Sequence, residues 1–99
     1  MAQGSIVGYQ IFSVDGPVVA SGIPVAIYGM NVVSGGGGGP VVLRNGTSAS
    51  STAFIHEMGN ANSSESFAYT VGIVFPAGCF VDVDADVTQV TIFYEKVGG

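Results

Sequence analysis

The chain has 99 residues, of which nine are charged, and its net charge is −5. This length suits a single domain, residues 1–99, with one hydrophobic core. Its two basic residues, Arg44 and Lys96, cannot form the positive surface that nucleic acids or anionic membranes require. We therefore expect no nucleic-acid partner and no membrane partner.

The low charge is combined with a hydrophobic content of 47%, whereas about a quarter of the residues are charged in average soluble proteins. The solvent-exposed surface must then consist mostly of small polar and apolar side chains. Such a surface favours association with copies of the chain or with a larger assembly over a free monomer.

Glycine and proline divide the first half of the chain into short apolar segments of strand length. The sequence Asp15-Gly16-Pro17 predicts a turn after the first segment, and Gly29 marks a candidate β-bulge inside the third. The five glycines 35–39 predict a flexible linker or a hairpin tip. The predicted strands of this half are residues 6–14, 18–20, 24–33 and 41–44.

The second half continues the pattern after the turn dipeptide Asn45-Gly46, and its polar residues 59–66 predict a loop. No segment has a helical period with helix caps. The predicted strands are residues 52–58, 67–75, 79–83 and 88–95. Seven or eight short antiparallel strands predict an all-β fold, a single small β-sandwich or jelly roll.

The densest set of acidic side chains is Asp82, Asp84 and Asp86, at every second position. A calcium loop of the EF-hand type would need glycine at its sixth position and glutamate at its twelfth, where this chain has Val87 and Phe93. A β-strand with one wet face, or a turn, explains the spacing better than cation binding or catalysis does. We expect no metal site.

The remaining candidates for catalysis are a single histidine, His56, and a single cysteine, Cys79. Neighbouring strand residues point to opposite faces, so His56 and Glu57 cannot form a dyad, and His56 is expected at the surface or in an interface. Cys79 lies in an apolar run and is expected to be a small buried hydrophobe. The glycine run lacks the lysine of a phosphate loop. We therefore expect no enzyme activity, no catalytic residue and no cofactor.

Residues 72–95, GIVFPAGCFVDVDADVTQVTIFYE, have a distinctive order: Gly-Ile, an aromatic residue, a glycine turn, Phe-Val-Asp, a polar turn and a Val-Thr-Ile-Phe-Tyr strand. This layout resembles small virion structural proteins of tailed phages, in particular those of marine cyanophage-like particles. The segment PVVLRNGTS at residues 40–48 and the early Val14-Asp15-Gly16 turn fit the same layout.

The resemblance implies a β-sandwich or jelly-roll protein that decorates or cements the phage capsid in many copies, commonly as a homotrimer. Its partners would be itself and the major capsid protein or other virion proteins. It would be made in the host cytoplasm and lie on the particle surface. A component of the tail or of the head–tail junction is an alternative location.

Two other function classes remain open, a carbohydrate- or receptor-binding jelly roll and an enzyme. Sugar binding usually needs exposed aromatic side chains, but the chain has no tryptophan and its tyrosines all fall in predicted strands. An enzyme would have to combine His56, Cys79 and the aspartates. Strand residues that could lie either in the core or in an interface are Tyr28, Phe54 and Phe93, whereas the acidic run 82–86 is expected to stay outside any contact.

Overall fold

A computed structural model describes residues 8–19 and 22–97, and these ranges contain eight β-strands and no α-helix. The all-β prediction is therefore confirmed. The strands are β1 (Gly8–Phe12), β2 (Gly16–Pro17), β3 (Val25–Ser34), β4 (Gly39–Asn45), β5 (Thr52–Gly59), β6 (Ser64–Phe75), β7 (Cys79–Val83) and β8 (Val87–Lys96).

The strands form two four-stranded antiparallel sheets that pack as a sandwich. Sheet A has the order β1-β8-β3-β6, and sheet B has the order β2-β7-β4-β5. The first strand pairs with the last, the second with the seventh, the third with the sixth and the fourth with the fifth. This nested pairing, divided over two sheets, is the topology of a jelly roll.

The core lies between the two sheets and consists mainly of apolar side chains; Ser34, at the end of β3, is the buried polar residue among those that the structure describes. Along β4 the buried residues Val41 and Leu43 alternate with partly exposed ones, as expected for a strand with one face on the core. At the β5–β6 side, the rings of Phe54 and Phe75 lie 5.1 Å apart and close the gap between the sheets. The buried core residues are Phe12, Val18, Val25, Ile27, Met30, Val32, Val41, Leu43, Ile55, Phe75, Cys79, Val81, Val87, Val90 and Ile92.

The predicted bulge at Gly29 is confirmed. Between Ile27 and Gly29, the β6 partner changes from Ile73 to Ala68, so residues 69–72 leave the regular ladder. A methyl group on Gly29 would lie 2.7 Å from the carbonyl oxygen of Phe67, which explains why glycine occupies this position. The extra residues of β6 interrupt the exposed edge of sheet A, which hinders continuous strand pairing with another chain.

Some predicted strand boundaries differ from the structure. The second strand is Gly16–Pro17, inside the predicted turn, and not residues 18–20. Val18 instead follows the strand as a buried residue whose amide donates to the carbonyl of Cys79 over 2.8 Å. Residues 6, 7 and 20 of the predicted strands lie outside the described ranges.

The predicted loop 59–66 is also too long, because β6 already begins at Ser64. Ser64 pairs with Val33 and Glu65 with Val32, so polar residues continue the strand at the sheet edge. Edge positions tolerate polar side chains because one side of the strand faces water.

Candidate interaction surface

The side chains considered for catalysis lie on different sides of the strands. His56 is exposed on the outer face of sheet B, whereas Cys79 is 1% exposed and belongs to the core between the sheets. Glu57 points to the opposite side from His56, as predicted, and its Oε2 accepts a hydrogen bond of 2.9 Å from the Tyr69 hydroxyl. The fold does not bring the histidine and the cysteine together.

The three aspartates of the acidic run take separate roles. Asp82 lies on the outer face of sheet B, where its Oδ2 is 3.0 Å from Nη2 and 3.1 Å from Nε of Arg44. The strand ends at Val83, and Asp84 then accepts a 2.9 Å hydrogen bond from the amide of Asp86 within the turn to β8. The strand-face interpretation therefore holds for Asp82, and the turn interpretation holds for the other two.

Four connecting loops meet at one end of the sandwich, which we call the acidic end and define by Asp15, Glu65, Asp84 and Asp86. Backbone hydrogen bonds join the loops, for example from the Gly35 amide to the Asp86 carbonyl over 2.8 Å. Asp15 accepts a 2.7 Å bond from the amide of Val83. In the part of the chain that the structure describes, no group of three histidine, cysteine or acidic side chains is arranged to hold a metal ion.

The glycine run forms part of this acidic end and is not a loose linker. Gly39 is the first residue of β4, and side chains at Gly37 or Gly39 would collide with the carboxylates of Asp86 and Asp84. The segment connects β3 of sheet A to β4 of sheet B, so the prediction of a hairpin tip is wrong. Its close packing against the acidic turn also disagrees with a flexible linker. The glycines allow the backbone to approach the acidic turn closely.

The outer face of sheet A is a weakly charged surface. Alternation along each strand, read from the buried residues, assigns its side chains. Glu95 is the one charged residue among them. The face, called the A face below, comprises Tyr9, Ile11, Ala26, Tyr28, Gly29, Asn31, Val33, Ser64, Ser66, Ala68, Gly72, Val74, Gln89, Thr91, Phe93 and Glu95.

Large apolar side chains are concentrated on the β1–β8 half of the A face. Tyr9 is 66% exposed and lies directly opposite Phe93, which is 40% exposed; Ile11 on the same strand is 54% exposed. Side chains that lie opposite each other in an antiparallel pair have Cβ atoms about 4.5–5.5 Å apart. Tyr9, Ile11 and Phe93 therefore form one raised apolar ridge.

In the rows of Tyr9 and Ile11, the β3–β6 half of the A face has smaller residues than the β1–β8 half, whereas Tyr28 and Val74 lie outside these two rows. Gly29 follows Phe93 in the same row, and Ala68 follows Gly29. One row towards the acidic end, Asn31 lies between Thr91 and Ser66. In these two rows the A face thus has a ridge beside a strip of smaller residues.

Two clusters of polar groups on the A face are hydrogen-bonded within the chain. The Tyr28 hydroxyl donates a 2.9 Å hydrogen bond to Oε1 of Glu95, and this bond raises the pKa of Tyr28. Nδ2 of Asn31 donates to Oγ of Ser66 over 3.0 Å and to the carbonyl of Glu65 over 3.2 Å. These groups can therefore be covered by a partner at a lower desolvation cost than unbonded ones.

The outer face of sheet B has the opposite character. It carries the Arg44–Asp82 ion pair and His56, which flanks Val42 in the same row as Asp82. Because charged residues are depleted from the centres of protein interfaces, the A face is the better candidate for a contact with another protein.

Sequence reasoning placed Phe93 among candidates for the core or an interface, and the structure locates it on the A face. Phe54, from the same set, packs on Phe75 at the margin of the core and is 46% exposed. Tyr9 and Ile11 were not identified as surface residues. Their alternation with Gln10 and Phe12 was the available signal, but it does not say which of the two sets faces the core.

No family model matches the chain, and no curated protein matches its sequence. Among solved structures, a chain from Bacillus endospore appendages, described as a family of disulfide-linked pili, is similar at 14% identity and a TM-score of 0.44. The alignment covers 99% of this chain and 96% of that one. A similarity at this level supports no argument about function. Within the described residues, no helix is long and apolar enough to cross a membrane.

Proposed function

We propose that the protein is a structural subunit without enzyme activity, which works in multiple copies by protein–protein contact through its A face. The observation that supports this proposal is the A face itself, an exposed ridge of Tyr9, Ile11 and Phe93 on a face with one charged residue. Exposed apolar patches of this kind are typical of protein interaction sites.

The place of assembly follows from the sequence resemblance. The resemblance to small virion structural proteins favours the surface of a tailed-phage capsid, where copies would decorate or cement the shell, with the tail or the head–tail junction as the alternative. The jelly-roll topology and the weakly charged surface are compatible with this role. A trimer, which the resemblance implies, is one way to arrange the copies.

The proposal is tested by locating the protein in purified particles. An antibody raised against the recombinant protein is used for immunogold electron microscopy of gradient-purified virions from the source culture. Regular labelling of capsid surfaces is the expected result, and labelling confined to tails would select the alternative location. A protein found only in the soluble fraction of lysed cells would refute a virion function.

The exposed Tyr9–Phe93 pair also supports a second candidate function, binding of a carbohydrate. From the sequence, the tyrosines were expected in strands and not as exposed platforms for a sugar. In the structure, however, Tyr9 is 66% exposed beside Phe93, with Thr91 and Gln89 on the same face. Binding to a glycan array that is lost in Tyr9→Ala and retained in Met58→Ala, an exposed position on sheet B, would support this function. A uniformly negative array would eliminate the sugars tested.

A further inference from the structure

We infer that the A face binds the A face of a second copy of this chain, in a pair related by a two-fold axis that runs between the faces, nearly along the strands. The inference rests on the proposed assembly function, since it names the partner of the same surface. In such a pair β1 of one copy lies over β6 of the other, because the axis reverses the order of the strands.

The register of one row shows that the A face is complementary to itself under this operation. The row runs across the sheet from Tyr9 through Phe93 and Gly29 to Ala68. Two large residues are thus followed by two small ones. The two-fold axis places Tyr9 over the exposed Ala68 of the partner copy, so that a large side chain of each copy meets a small one of the other. Phe93 lies over the partner copy's Gly29, whose backbone is buried.

The next row repeats the arrangement at its outer positions, whereas its two inner positions are both polar. It runs from Ile11 through Thr91 and Asn31 to Ser66, with the large apolar side chain on β1 and the small one on β6. Pairing about an axis across the strands would instead set β1 on β1 and ridge against ridge. Size complementarity in both rows therefore selects the axis along the strands.

The area of the A face is in the range that a stable pair needs. The ten-residue strands β3 and β8 are about 33 Å long, and four strands at about 4.8 Å spacing give a face of about 600 Å² in projection. Side chains make the accessible area larger than the projection. A standard interface takes about 800 Å² from each partner, so most of the face would be covered.

The position of the charges permits contact between two A faces. Each copy has a net charge of −5, and Glu95, the one charged residue of the A face, lies a row away from Tyr9 and Phe93 towards the strand ends. Contact through the A face keeps the acidic end and the Arg44–Asp82 pair in water. The polar rim and apolar centre match the usual layout of an interface.

The test is a size swap that exploits the Tyr9-over-Ala68 contact. Sedimentation equilibrium measures the dimer dissociation constant of the wild type, of Tyr9→Ala, of Ala68→Tyr and of the double variant. We expect wild-type mass to approach twice 10.0 kDa at high concentration. Each single variant should weaken the pair at least about tenfold, and the double variant should return to within about threefold of wild type. Met58→Lys, on the outer face of sheet B, is the control and should pair normally.

Other outcomes overturn the inference. A wild-type monomer at every concentration, a trimer, or a double variant weaker than both single variants would each exclude this pairing, provided that far-UV circular dichroism shows all variants folded. The proposed function has its own test, because particles that contain the protein in spite of a failed size swap would keep the structural role and remove only the two-fold pair. If the size swap succeeds but the protein is absent from particles, the two-fold pair stands and the virion function is refuted.

Discussion

At the scale of single residues, burial controls the chemistry of Cys79. Burial raises the pKa of this thiol to about 12, compared with 9.0 for an exposed one, so the folded protein keeps the proton when the unfolded chain releases it. The contribution of this thiol to the free energy of unfolding is therefore complete below pH 9 and is lost as the pH rises towards 12. Between pH 8 and pH 10 this one group should lower the free energy of unfolding by about 1 kcal/mol.

Urea unfolding at each pH measures this effect, and Cys79→Ala is the control. The variant loses packing at every pH but should show a shallower decline above pH 9. The decline that remains above pH 10 is assigned to Tyr69, whose pKa is raised by burial and by its hydrogen bond to Glu57, and to Tyr28, whose pKa is raised by its hydrogen bond to Glu95. Equal slopes in both proteins, or rapid reaction of the native thiol with a disulfide reagent at pH 8, would contradict the assignment.

The aspartates of the acidic run should not depend on a divalent cation. Asp82 is paired with Arg44, and Asp84 is bonded to the backbone of its own turn, so their oxygens do not converge. A cation bound only to the native state would raise the melting temperature by mass action. We expect the same melting temperature within about 1 °C in EDTA and in millimolar Ca²⁺, measured by circular dichroism. A rise of several degrees in Ca²⁺ would reveal a site at the acidic end.

Residue roles that follow from backbone period were predictable, and roles that depend on distant partners were not. The opposite directions of His56 and Glu57 follow from the strand alone. The bond from Tyr69 to Glu57 joins β6 to β5 across the sandwich, and the Arg44–Asp82 pair joins residues 38 positions apart. Periodicity carries no information on such pairs, because they depend on the topology of the sheets.

At the scale of elements, the turn between β3 and β4 is fixed by glycine at Gly38. This residue has φ of +65°, and an added methyl group would lie 2.6 Å from the carbonyl oxygen of Gly59 at the end of β5. Gly38→Ala combines left-handed backbone strain with a backbone collision. We expect it to lower the free energy of unfolding by at least about 2 kcal/mol.

Gly36→Ala is the matched control in the same glycine run. No atom lies within 4 Å of the position where its methyl group would be added. Alanine there restricts the unfolded chain, so the variant should match wild type or be more stable by up to about 1 kcal/mol. Equal losses in both variants, measured by urea unfolding, would show that the run is uniformly rigid; no loss in either would restore the flexible-linker interpretation.

Strand positions were predictable to within a few residues, and the bulge at Gly29 was predictable as well. Glycine in the middle of an apolar strand is itself the signal of such a bulge. The errors occur where polarity and pairing disagree. Ser64 and Glu65 belong to β6 because they pair with β3 at the sheet edge, although their polarity predicts a loop.

At the scale of the whole molecule, the fold class was predictable and the A face was not. Many short strands separated by turn signals are sufficient to predict a sandwich or jelly roll. In contrast, the exposed residues Tyr9, Ile11 and Phe93 are of types that also occur in cores, so their identity does not show where they lie. Only the register of β1 on β8, with Phe12 and Ile92 facing inwards, shows that they face solvent.

The charge distribution of the molecule leads to a final prediction about salt. A two-fold axis along the strands brings the acidic ends of two copies to the same end of the pair, where their carboxylates repel each other. Salt screens this repulsion, since the Debye length falls from about 30 Å at 0.01 M to about 3 Å at 1 M. We expect the dimer dissociation constant to decrease several-fold between 0.02 and 0.5 M NaCl (about 20 and 4 Å), measured by sedimentation equilibrium. Asp86→Asn should pair more tightly at low salt and reduce this dependence. A pair that weakens as salt is added would instead be held by ion pairs, which the A face with its single carboxylate cannot supply.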